Sequence, residues 1–88
     1  MVRYITPKGV LVQEVLSETV LLDTERGLYF ELNSMGAEMY RALAAGTDPA
    51  QLLDRLRDTY EVEEGALRRD LDTLINQLEA EGLLSRAS

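Results

Sequence analysis

The chain has 88 residues, 45% of them hydrophobic and 28% charged, and a formal charge of −7 from 16 acids against 9 bases. That length holds one small domain, and the composition excludes a disordered or collagen-like chain. Cys and His are both missing from the sequence, which excludes thiol nucleophiles, disulfides, thiolate or imidazole metal sites and histidine acid–base chemistry.

Other function classes lose ground on the same reading. No Gly-rich phosphate loop and no acidic Ca²⁺ loop is written in the sequence. The expectation is therefore a protein that is not an enzyme and needs no cofactor or metal. An acidic chain whose longest basic run is Arg68-Arg69 is a poor ligand for duplex DNA or an anionic membrane. No apolar run approaches the ~18–20 residues that cross a bilayer. The start, Met1-Val2-Arg3-Tyr4, shows no secretory signal, so a cytoplasmic location is expected.

The first half of the chain reads as a three-stranded meander. Val10–Val15 is rich in β-branched residues and follows the breaker Pro7-Lys8-Gly9; Leu16-Ser17-Glu18 connects it to Thr19–Asp23. Thr24-Glu25-Arg26-Gly27 is a turn, its Gly free to take positive φ, and leads into Leu28–Leu32. Alternation puts Leu28, Phe30 and Leu32 on one face and Tyr29 and Glu31 on the other. It does not say which face is covered.

From Ser34 onward the pattern is helical. Asn33 or Ser34 caps a helix over about 34–45, with Met35, Met39, Ala42 and Leu43 at apolar spacing and Gly46 as the stop. Asp48-Pro49 starts a second over about 49–60, striped by Leu52, Leu53, Leu56 and Tyr60. The third, about 63–81, repeats Leu67, Leu71, Leu74 and Leu78 and ends before Gly82, with Leu83-Leu84 able to fold back onto the core. A small sheet cannot bury its apolar face alone, so these helices must cover it. The expected product is one α+β, winged-helix-like domain.

Two surfaces of that domain invite a partner. The meander leaves one edge of Leu28–Leu32 unpaired, open to an added peptide strand unless a loop shields it. On the third helix, Ile75, Arg68 and Asp72 lie to one side of the leucine stripe, about 80–140° from Leu67, an apolar-then-charged flank suited to a groove wall. Ile75 reads more readily as the margin of a wide core stripe than as such a wall. The opposite flank, with Asp70, Gln77 and Glu81, reads as a solvated face.

The stretch Val20-Leu21-Leu22-Asp23 … Gly27-Leu28-Tyr29-Phe30-Glu31-Leu32-Asn33 resembles the "LLD…G.Y..LN" phrase of PqqD-like proteins. The later order of elements matches too, through Ala45-Gly46, Leu52-Leu53, Tyr60, Asp70 and Gly82-Leu83-Leu84, so the resemblance spans roughly Val10 to Leu84. It implies a recognition element for the leader peptide of ribosomally made, later modified precursors, most like the stand-alone kind of lasso-peptide pathways. It further implies that the leader adds antiparallel to the third strand, against the third helix. Partners implied are a separate cysteine-protease subunit and a cyclase. The expected leader-binding residues are Leu28, Tyr29, Phe30, Glu31, Leu32, Arg68, Leu71, Asp72 and Ile75, on a chain expected to be monomeric. The rivals are a PqqD-type peptide chaperone for a radical enzyme of quinone-cofactor synthesis and a winged-helix DNA-binding protein.

Overall fold

The structure, a computed structural model, describes residues 2–16 and 18–87. Its elements run β1 (Tyr4–Ile5), β2 (Val10–Val15), β3 (Glu18–Asp23), β4 (Leu28–Leu32), α1 (Ser34–Ala44), α2 (Pro49–Thr59), α3 (Glu64–Ala80) and β5 (Ser85–Arg86). The expected α+β architecture is present: an antiparallel sheet in the order β2-β3-β4, followed by three helices. Each expected element differs from the observed one by at most a residue at either end. Within the connector between β2 and β3, Ser17 lies outside the described residues.

Register explains which sheet face is covered. Val12, Leu21 and Phe30 form one row across the three strands, and Leu11, Leu22 and Tyr29 form the next. Leu21 is fully buried, Leu32 is buried and Phe30 is half-buried against the core, so the Leu28–Phe30–Leu32 face is the inner one. α1 packs over it on β3 and β4. The row carrying Leu11 and Tyr29 faces solvent, with Tyr29 66% exposed.

Local chemistry sets the helix ends. Asn33 Oδ1 accepts from the N–H of Gly36 at 2.7 Å, and Asp48 Oδ1 from the N–H of Ala50 at 2.9 Å, each cap being worth about 1 kcal/mol. Gly82, at φ +71°, makes the left-handed turn that ends α3. The core is then filled by Leu43, Leu52, Leu56, Leu67, Leu71 and Leu78 beneath Leu21.

The short strands β1 and β5 pair antiparallel, Tyr4 with Arg86 and Ile5 with Ser85, in a second two-stranded sheet. Nothing in the sequence marks them, because two residues carry no period and the pairing joins opposite ends of the chain. Three further contacts secure that region. The N–H of Val2 donates to Asp48 Oδ2 at 2.8 Å. The hydroxyl of Tyr40 donates to the carbonyl of Leu83 at 3.2 Å and lies 3.0 Å from the Thr6 hydroxyl. Burial raises the Tyr40 phenol above its ordinary pKa.

Candidate peptide-binding site

β4 has a paired neighbour on one side only. Among the described residues β3 occupies its inner edge and no strand occupies the outer one, since the N-terminal segment pairs with β5 instead. The outer edge of β2 is also unpaired, but β2 packs on β3 and on no helix to a comparable extent. Among the described residues α1 packs on β3 and β4, while β2 reaches α1 through the Arg41–Glu14 ion pair. This difference makes the β4 edge a groove rather than a bare rim.

The corner where β4 passes into α1 and the facing side of α3 enclose a cleft of about 300 Å³. Asn33, Met35, Gly36 and Met39 line one side, and Asp70, Thr73, Leu74 and Gln77 the other. A neighbouring cleft of about 480 Å³, lined by Glu18, Glu31, Leu32, Asn33 and Ser34, shares the Asn33 corner. Gly36 lets this corner close up: a Cβ there would meet Asn33 Oδ1 at 3.2 Å and the Leu32 side chain at 3.5 Å. Phe30 on β4, Met35 on α1 and Leu74 on α3 are among the apolar side chains that stay half-buried at the margin of the core. Each element beside the edge thus offers one partly open apolar surface, rimmed by amide, hydroxyl and carboxylate groups.

The structure does not bring the two halves of the expected site together. Leu28–Leu32 lie on the open edge, but Leu71 and Ile75 are 0% and 6% exposed within the core. Arg68, Leu71 and Asp72 line a cleft with Val2, Asp48, Pro49, Ala50 and Leu53, at the start of α2. Ile75 and Asp72 line another with Val2, Tyr4 and Arg86. The physical reason is the width of the apolar stripe on α3 and the unforeseen β1–β5 pair. α2 and the N-terminal segment cover the Arg68–Ile75 flank, leaving the Asp70–Gln77 flank, read in sequence as solvated, to face Asn33 and the start of α1 across the first cleft. Met35, Asp70, Thr73, Leu74 and Gln77 line the cleft instead, and none of them is among the expected leader-binding residues. Leu74, at the other margin of the leucine stripe, was the available signal.

The turn that feeds β4 is firmly held. Asp23 is buried, and its Oδ1 accepts from the N–H groups of Glu25 and Arg26 at 3.0 and 3.1 Å, while Oδ2 accepts from Arg26 Nε at 2.6 Å. The Arg26 side-chain bond, followed by these main-chain donors, holds the Asp23 carboxyl below its ordinary pKa. A larger cleft of about 610 Å³ opens between α1 and α2. Its rim is occupied by internal bonds, Arg55 to Thr47 at 3.0 Å and Tyr60 to Glu38 at 2.7 Å.

Comparison with known proteins settles the kinship of this arrangement. Residues 18–84, which hold β3 through the buried Leu83-Leu84 tail, match the family model of coenzyme PQQ synthesis protein D (PqqD). The chain belongs to the PqqD family. Among solved structures it is similar to "Lasso peptide synthetase B1 complexed with the leader peptide", with a TM-score of 0.87 and 29% identity over 93% of this chain and 96% of that one. It is also similar to "TbiB1 in Complex with the TbiA(beta) Leader Peptide", with a TM-score of 0.81 and 28% identity over 91% and 93%. No curated protein matches the chain.

Proposed function

We propose that this PqqD-family chain binds the leader peptide of a ribosomally made precursor in lasso-peptide biosynthesis, and presents it to a separate cysteine-protease subunit and then to a cyclase. The observation that carries the reading is the unpaired outer edge of β4 standing beside the apolar cleft of α1 and α3. A leader strand laid antiparallel along Leu28–Leu32 completes the hydrogen-bond ladder, each bond adding about 0.5–1.5 kcal/mol net. Its inward side chains meet Phe30, Met35 and Leu74, which gives selectivity. Both solved neighbours are leader-peptide complexes, and the likeness to a lasso peptide synthetase favours this pathway over the quinone-cofactor branch.

The rest of the molecule supports a binding role. With neither Cys nor His in the sequence, cleavage and ring closure fall to the partners. The exposed row of Leu11 and Tyr29 on the open sheet face supports a protein partner. DNA reading by α3 is opposed by Asp70, Asp72 and Glu79 around Arg68 and Arg69. No helix among the described residues is long and apolar enough to cross a membrane.

Calorimetric titration with a synthetic leader peptide of the precursor, sought among the neighbouring genes, tests the reading. Saturable one-to-one binding, lost when the peptide sequence is scrambled, is expected. No saturable binding at high micromolar peptide refutes it, and steeply salt-dependent binding to duplex DNA would replace it.

A further inference from the structure

One side chain joins the two walls of the β4 groove. Arg26 lies in the Thr24–Gly27 turn just before β4, gives Nε to the Asp23 carboxylate at 2.6 Å and gives Nη2 to the main-chain carbonyl of Glu81. Glu81 is the residue that caps the C-terminus of α3. By helical spacing it lies one turn beyond Gln77, on the same flank as Asp70 and Leu74. The guanidinium therefore runs from the root of the edge strand to the end of the helical wall.

Both ends of this bridge are rigid. On the sheet side, Thr24 donates from N and from Oγ1 to the carbonyl of Gly9, each at 2.8 Å, which pins the turn to the start of β2. On the helix side, Leu83 and Leu84 are buried directly after the turn. Gly82 makes room for the contact, since a Cβ there would lie 3.1 Å from Arg26 Nη2. Arginine suits the task because its planar fork serves two acceptors in fixed geometry, which a lysine ammonium does not reproduce. Its charge also faces the negative end of the α3 dipole.

We propose that Arg26 is a positioning residue for guest-strand binding, fixing the separation of β4 from the C-terminal end of α3 and hence the groove width. The proposal rests on the leader-binding reading above. An added strand sits about 4.8 Å from β4 and needs the packing layer beside it at about 10 Å. A radial gap of even ~1 Å forfeits a quarter to a half of the dispersion contact.

The test combines affinity with a distance. The sequence holds no Cys, so spin labels on Leu11→Cys and Ala80→Cys, both outside the groove, report the sheet-to-α3 separation without background. In Arg26→Ala the label distance distribution broadens, and the Kd of the synthetic leader rises about tenfold at a temperature well below unfolding, in line with loss of charge-assisted bonds. Arg26→Lys, which keeps the charge, shows most of the same loss and carries the test should Arg26→Ala not fold. Leader affinity within twofold of wild type in Arg26→Ala, or full wild-type behaviour in Arg26→Lys, overturns the proposal. A lowered Tm with affinity and distances unchanged overturns it as well. If wild type itself binds no leader, the functional reading fails, and the label distances alone decide whether Arg26 sets the spacing.

Discussion

Leu74 and Ile75 are consecutive residues of α3 and belong to different surfaces. Ile75 is buried and borders a cleft shared with Val2 and Tyr4, while Leu74 is half-buried and lines the β4 cleft with Met35. A helical step of about 100° is enough to put one side chain in the core and the next at the margin of a cleft. Ile75→Ala is expected to cost about 2–4 kcal/mol in denaturant unfolding, with leader affinity retained where the protein stays folded. Leu74→Asp places a carboxylate against the half-buried margin of the core, so its unfolding is compared with that of Leu74→Ala and leader affinity is read well below the unfolding transition. Leu74→Asp should weaken the leader at least tenfold, an effect of about 1.4 kcal/mol.

Strand addition has a periodic signature. An edge strand turns the N–H and C=O of alternate residues outward. N-methylation walked along the leader backbone should weaken binding at every second position of the paired segment, by roughly 1 kcal/mol or more each time. Calorimetry on the methylated set reads this out. Equal losses at every position would point to side-chain docking alone.

The Tyr40 hydroxyl links Thr6 to the Leu83 carbonyl from within the core. Tyr40→Phe leaves that carbonyl without its phenol partner, at a cost of about 1–3 kcal/mol. Thermal unfolding should show the loss, while the Kd for the leader stays within twofold of wild type. A weakened leader with unchanged Tm would contradict this division of labour.

Stability should be flat across neutral pH and fall at both ends. The sequence has no His, so no side chain titrates ordinarily between about pH 5 and 9. Asp23 and Asp48 have lowered folded-state pKa values, Asp23 through Arg26 and Asp48 through the N–H groups of Val2 and Ala50. Their contributions are present above about pH 4, the unfolded value, and are lost as pH falls through the folded one. Tyr40 is raised by burial, and Tyr60 by its bond to Glu38. Those contributions hold below about pH 10 and disappear as pH rises through the folded values. Urea unfolding across pH checks the profile, and a stability step between pH 6 and 8 would contradict it.

The legible parts of this fold are those written in local chemistry. β2 and β3 show in β-branched runs, β4 in the alternation of Leu28, Phe30 and Leu32 after the Gly27 turn, and α2 in the Asp48-Pro49 start. The inner face of β4 was not legible, because alternation separates Phe30 from Tyr29 without saying which one a helix covers. The unpaired edge of β4 follows from the strand order, whereas the Arg68–Ile75 flank lies away from it. A helical wheel sorts Leu74 from Ile75 and is silent on where α2 lies, and α2 together with a two-residue β1 decides that flank. Arg26 was hidden for the same reason, since its partner Glu81 lies 55 residues away.

The proposal stands on a guest chain extending the small sheet at β4. NMR of the labelled protein with the synthetic leader tests this: intermolecular NOEs between leader and β4 backbone, with alternate amides of Leu28–Leu32 gaining protection from exchange, are predicted. Protection confined to β2 or to the Leu11–Tyr29 face, with the β4 amides unchanged at saturation, would contradict it.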